Sequence, residues 1–229
     1  MRRGGEQSVS FKVCRGYGVG VAVSFDLFGT LVAVERPADP ADATARELHE
    51  RGVAVPDDWT RRYRRPHVDV EPGRELALSE HVAAALATAD VTADERVVRQ
   101  AVRAAFDGPV QTREGIEAAV GAAAERGPVG ILSNCSVRGL VERTLERSAL
   151  DPERFDAVVT SVDCGWRKPD PRAFGAAAAG LGVPVESLVH VGDDPETDGG
   201  AAAAGARSIC LSEVSLADLP AELEAIRSR

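Results

Sequence analysis

Four short segments of this 229-residue chain carry carboxylates, hydroxyls and one ammonium: Asp26-Leu27-Phe28-Gly29-Thr30, Leu132-Ser133-Asn134, Arg167-Lys168-Pro169-Asp170 and Gly192-Asp193-Asp194-Pro195-Glu196-Thr197-Asp198. A carboxylate can act as a nucleophile or hold a hard cation through oxygen, while hydroxyls and an ammonium can take up charge on a bound anion. Lysine occurs only at positions 12 and 168, and arginine supplies the other 25 of the 27 basic residues. A lysine among so many arginines points to chemistry that a rigid guanidinium cannot do. Taken singly, each segment has a plainer reading, because an aspartate after a strand commonly caps a helix or forms a turn. Their joint occurrence is what marks a site.

The elements around these segments predict where they lie. Val21-Ala22-Val23-Ser24-Phe25 reads as a buried strand, which puts Asp26 at its carboxyl end with Gly29 and Thr30 in the turn beyond. Apolar runs at 129–132, 157–160, 188–191 and 208–211 alternate with helical patterns at 114–126, 137–148, 171–181 and 195–204. Such alternation predicts an α/β fold with a Rossmann-like parallel sheet, whose working residues gather outside the strands' carboxyl ends. Between 36 and 107 the strand signals vanish, and helical stretches at 41–51, 79–88 and 93–106 replace them. The chain therefore divides into a loose tail at 1–18, a core at 19–35 and 109–229, and a small all-helical cap at 36–108 inserted after the first strand. A lid of this size excludes water and contacts the substrate.

In their order and at these strand ends, the four segments resemble the motifs of the haloacid dehalogenase-like hydrolase superfamily. The insertion is similar to that family's helical cap, and the resemblance covers residues 21–35 and about 109–215. It implies a Mg²⁺-dependent phosphatase acting on a small phosphorylated metabolite through an aspartyl-phosphate on Asp26. Lys168 would steady the nucleophile and the phosphoryl oxygens, and Thr30, Ser133 and Asn134 would bind phosphate, with a helix N-terminus brought near by the turn at 134–136. The metal would be held by Asp26, the Phe28 backbone carbonyl and Asp193, with Asp194 or Asp198 as a further ligand or a neighbour supporting one. The physical need is clear, since a carboxylate attacking a phosphate dianion requires a metal and positive donors to offset the charge.

The resemblance breaks at Phe28, where most phosphatases of the superfamily carry a second aspartate as general acid. Glu35 or a cap carboxylate is the candidate replacement. An aromatic residue here, together with Ser133-Asn134, also looks like the superfamily's 2-haloacid dehalogenases, which work without a metal; the Asp193, Asp194 and Asp198 cluster argues against that reading. A catalytically weak module that binds a phosphorylated ligand is a third reading, favoured only by Phe28.

The remaining features exclude more than they suggest. A net charge of −9 argues against nucleic-acid binding, and no apolar run is long enough to span a bilayer or act as a leader, so a cytoplasmic location is expected. Cys14, Cys135, Cys164 and Cys210 lack metal-ligand spacing and read as free thiols. Arg61-Arg62-Tyr63-Arg64-Arg65 reads as a solvated face paired with Asp57 and Asp58. His190 reads as a core histidine, and His49, His67 and His81 show no mutual metal spacing.

Overall fold

The computed structural model describes residues 20–226. The expected tail, with Lys12 and Cys14, lies outside them. Strand β1 (Ala22–Phe25) is buried throughout, as a strand covered on both faces must be. After β2 (Val32–Val34) the chain leaves the sheet through α1 (Pro40–Glu50), α2 (Trp59–Tyr63), α3 (Leu78–Ala87) and α4 (Glu95–Ala105), and returns by β3 (Val110–Thr112). Helices and strands then alternate: α5 (Ile116–Arg126), β4 (Val129–Ser133), α6 (Leu140–Arg147), β5 (Ala157–Thr160), α7 (Ser161–Cys164), α8 (Pro171–Gly180), β6 (Leu188–Gly192), β7 (Arg207–Cys210) and α9 (Leu219–Ala225).

Five strands form one parallel sheet in the order β5-β4-β1-β6-β7. The α/β, Rossmann-like class expected from the alternation is the one observed. Chain order reverses on either side of β1, and a crevice forms outside the strand ends at such a switch point. Because side chains alternate along a strand, Val23, Phe25, Val189 and Val191 pack with Ile116 of α5 and Leu219 of α9. Ala22 and Leu188 face the other way, onto Ala173, Phe174 and Ala177 of α8. The same alternation puts Ser24 and His190, which are register partners, on the α8 side.

The helical segment packs on itself, with Trp59, Leu48, Val82, Leu86, Val98 and Val102 buried and the Trp59 indole N–H donating to the Ala41 carbonyl at 2.9 Å. Its helices begin where side chains satisfy free amides: Asp39 caps α1 ahead of Pro40, and Asp94 caps α4. Arg61 and Arg62 both pair with Asp58, and Arg64 with Asp39, so this cluster's charge is largely answered inside the segment. Among the described residues Asp57 makes no ion pair with it. His67 and His81 approach to 5.7 Å between ring centroids, each with Nε2 on a backbone carbonyl.

One local expectation needs correction, and one pair of strands adds to the expected elements. Residues 198–204 form a 3₁₀ helix instead of the α-helix expected from 195, since Gly199 and Gly200 are poor helix formers and Gly200 lies where a Cβ would meet Pro169 at 2.4 Å. The antiparallel pair β2–β3, which closes the neck of the insertion, was not foreseen. Three residues per strand is too short for a period-two signal. Among the described residues no helix is long and apolar enough to cross a membrane.

Candidate active site

Asp26 follows β1 directly, its amide held by the Val191 carbonyl at 2.8 Å. Its carboxylate accepts from Lys168 Nζ at 2.8 Å, and the same ammonium reaches Asp198 Oδ1 at 2.5 Å. Both Lys168 and Asp198 are buried. Asp193 completes an acidic triad, with one ligand atom from each of Asp26, Asp193 and Asp198 within 4.8 Å of the others. Residues from three distant stretches of chain thus meet at one end of the sheet.

Local backbone makes this convergence possible. Gly29 adopts φ +97°, and a Cβ there would lie 2.3 Å from Asp193 Oδ2, so the turn after Asp26 needs glycine for both reasons. Asn134 clamps the lysine loop with both ends of its amide, accepting from the Lys168 N–H at 2.8 Å and donating to the Lys168 carbonyl at 2.9 Å. Asp170 accepts from the Arg172 amide and caps α8, which begins with Pro171.

The electrostatics follow from burial. Desolvation pushes the Asp26 carboxyl up to about 6, with Lys168 pulling it down and Asp198 pushing it further up. Burial also acts to raise Asp198, but hydrogen bonds and charge from His190 and Lys168 outweigh it and hold the group well below the usual carboxylate range. His190 is pushed down to about 4 by burial and by the Lys168 charge, and is therefore neutral near pH 7. Two carboxylates share one ammonium, with a third at the rim. Such a cluster is short of positive charge.

The other expected residues are placed unevenly. The Ser133 hydroxyl is buried and has no hydrogen-bond partner among the described residues. Thr30 is buried too, but its hydroxyl donates to Asp193 Oδ1 at 3.1 Å. Asp194 is exposed and turns its carboxylate to the Glu196 amide and the Thr197 hydroxyl, while its own N–H donates to Asp198 Oδ2 at 3.0 Å. Its side chain is thus not among the triad. Phe28 lies in the turn, bridged to Val32, with its ring partly packed on the core. No helix starts at 134–136: α6 begins at Leu140, after Gly139 takes a left-handed conformation.

Glu35 is exposed at the neck, where its amide donates to the Pro109 carbonyl. In the inserted segment, Glu75 accepts from the Ser161 hydroxyl at 2.6 Å, while Ser161 Oγ accepts from the Cys135 amide. Cys135 itself is buried and its thiol pushed up to about 11, which suits packing and not reactivity. Trp166 lies under Arg172, whose guanidinium carbon is 3.2 Å from the ring centroid. His190, expected as a core histidine, is fully buried, and its Nε2 lies 3.0 Å from Asp198 Oδ1, a contact with the site that the sequence did not show. A lone histidine in a strand carries no spacing signal; only its pairing with Ser24 across the sheet reveals it.

Known proteins place this arrangement in context. The family model for haloacid dehalogenase-like hydrolases matches residues 21–205. A Thermus thermophilus phosphoserine phosphatase is 33% identical over 132 residues, covering 50% of this chain and 53% of that protein. The Bos taurus haloacid dehalogenase-like hydrolase domain-containing protein 3 is 38% identical over 104 residues, covering 44% and 40%. The chain thus spans about half the length, or less, of these relatives. Among solved structures, a 2-haloacid dehalogenase from Pseudomonas syringae superposes with a TM-score of 0.64 at 24% identity, covering 90% of this chain and 98% of that one. That likeness shows the fold.

Proposed function

This chain belongs to the haloacid dehalogenase-like hydrolases, and from that premise we propose that it is a Mg²⁺-dependent phosphatase of small phosphorylated metabolites. The observation that carries the reading is the acidic triad of Asp26, Asp193 and Asp198 gathered around a single buried ammonium. A cluster with an excess of carboxylate oxygens, in which burial already raises Asp26, fits a hard divalent cation. Asp26 and Asp193 would hold that cation together with the Phe28 carbonyl, and Asp198 would support them from beside Lys168. When bound, Mg²⁺ supplies positive charge that offsets both the nucleophile and the phosphate dianion.

The chain's own residues perform the rest. Asp26 attacks phosphorus, the bond from phosphorus to the leaving oxygen breaks, and an aspartyl-phosphate forms. Lys168 neutralises charge on the nucleophile and on the transferring oxygens. The partnerless Ser133 hydroxyl donates to a phosphoryl oxygen. Asn134 acts one step back, fixing the lysine loop. Water then attacks the aspartyl-phosphate, releasing phosphate and restoring Asp26. With Phe28 in place of a carboxylic acid, the leaving group departs unprotonated, which suits acyl, aryl or anhydride leaving groups.

Phe28 also favours a second reading, metal-independent dehalogenation of a 2-haloacid, against which the triad's charge would repel a carboxylate substrate. Phosphate release from p-nitrophenyl phosphate and acetyl phosphate, with and without Mg²⁺, is measured beside halide release from 2-chloropropionate. Mg²⁺-dependent phosphate release that Asp26→Asn abolishes is the expected result. Halide release without metal would replace this reading with dehalogenation. Silence in both assays would favour a module that binds a phosphorylated ligand.

A further inference from the structure

Beneath the site runs a closed ring of buried contacts. Ser24 Oγ lies 2.8 Å from His190 Nδ1, His190 Nε2 lies 3.0 Å from Asp198 Oδ1, and that oxygen also takes Lys168 Nζ, which contacts Asp26. Asp26 lies two residues after Ser24 along the chain, so the backbone between them closes the ring. Ser24, His190, Lys168 and Asp198 are all buried. The Phe174 ring of α8 packs edge-on against the imidazole, at 5.3 Å between centroids.

Proton placement in this ring is dictated by its chemistry. An ionised carboxylate only accepts, so Nε2 carries the proton toward Asp198, and the Ser24 hydroxyl donates to Nδ1. Asp198 Oδ1 therefore receives two donors from fixed directions, one from the sheet and one from the lysine. Without the imidazole, Asp198 would keep the Asp194 amide on Oδ2 but lose one of the two donors that fix Oδ1, and the acceptor that points the ammonium at Asp26 would be held less firmly.

We infer that His190 is a positioning residue: clamped by Ser24 and Phe174, it orients Asp198 and through it the Lys168 ammonium that faces the nucleophile. The consequence for rate rests on the phosphatase reading, whereas the consequence for Lys168 does not. Supporting groups of this kind are worth about 10- to 100-fold in activity when removed. Glutamine can place an N–H near the Nε2 position; leucine cannot.

Because the chain has only two lysines, labelling lysine with ¹⁵N yields at most two ammonium signals, and K12R leaves Lys168 alone. In the wild type the buried Lys168 ammonium should exchange slowly enough to be observed. In H190L that signal should be lost and kcat for p-nitrophenyl phosphate should fall about 10- to 100-fold with KM little changed, while H190Q restores both. S24A, which leaves the ring's other bonds in place, should weaken both readouts in the same direction and covers the case in which H190L does not fold. An unchanged ammonium signal in folded H190L or S24A, or an H190Q protein as impaired as H190L, overturns the inference. If the wild type releases no phosphate, the phosphatase reading falls, and the ammonium signal still decides the role of His190.

Discussion

Ser133 is buried at the end of β4 with a hydroxyl that bonds to nothing among the described residues, and an unpaired buried polar group costs about 1–3 kcal/mol. A phosphoryl oxygen would satisfy it. Ser133→Ala should therefore leave the melting temperature of the ligand-free protein unchanged or slightly higher, while KM for p-nitrophenyl phosphate rises; a clear loss of stability would mean that the hydroxyl has a structural partner. Phe28 carries a second prediction at this scale. General acid catalysis contributes roughly 10²–10⁴ in rate, mostly for poor leaving groups. Phe28→Asp should raise kcat/KM for an alkyl phosphate at least about 10-fold more than for an aryl phosphate, and equal effects on both would show that another group already supplies the proton.

At the scale of elements, the segment between α2 and α3 is strapped to the lysine loop. Arg74 bridges Trp166, the Glu75 N–H donates to the Gly165 carbonyl at 3.0 Å, the Arg167 N–H to the Gly73 carbonyl at 2.9 Å, and the Leu78 N–H to the Ser136 carbonyl at 2.8 Å. Arg172 adds an ion pair to Glu71 while covering Trp166. Gly73 lets the strap sit this close, with φ +81° and a Cβ position only 2.4 Å from Asp170 Oδ2. Gly73→Ala should detach the strap: amide exchange at Glu75, Leu78 and Arg167 should speed up several-fold while α5 is unaffected. Uniform exchange rates would mean that the strap adds nothing to local stability.

Over the whole molecule, two buried groups make opposite contributions to acid stability. His190 is at about 4 in the fold against an ordinary 6.5, so the unfolded chain binds its proton first and stability is lost as pH falls from 6.5 to 4. Asp26 is at about 6 against 3.8, so the folded protein binds its proton first and stability is gained as pH falls through 6 toward 3.8. Each effect is on the order of 3 kcal/mol, and within the shared window they oppose each other. Asp26→Asn removes only the gain. Urea unfolding in EDTA at pH 7 and 4.5 should show the variant losing about 2 kcal/mol more than the wild type on acidification. Equal losses would mean that the Asp26 carboxyl is not desolvated in the fold.

The sequence by itself determined the sheet and the order of its motifs, because buried parallel strands and amphipathic helices are written in local periodicity. It also marked Asp26, Asp193 and Ser133, whose side chains need only a strand end to reach the site, and Lys168, which reaches it from the loop between α7 and α8. What local pattern could not hold was the choice among neighbours. Only the tertiary structure turned Asp194 outward to its own turn and set Thr30 on Asp193. It also set Asn134 on the lysine loop and brought His190 beneath Asp198 through a partner 166 residues away in sequence. A carboxylate or imidazole at a strand end has several donors within reach, and which one it takes depends on burial and on the register of adjacent strands. The same holds for β2–β3 and for the strap, whose hydrogen bonds join segments too short to show any period of their own.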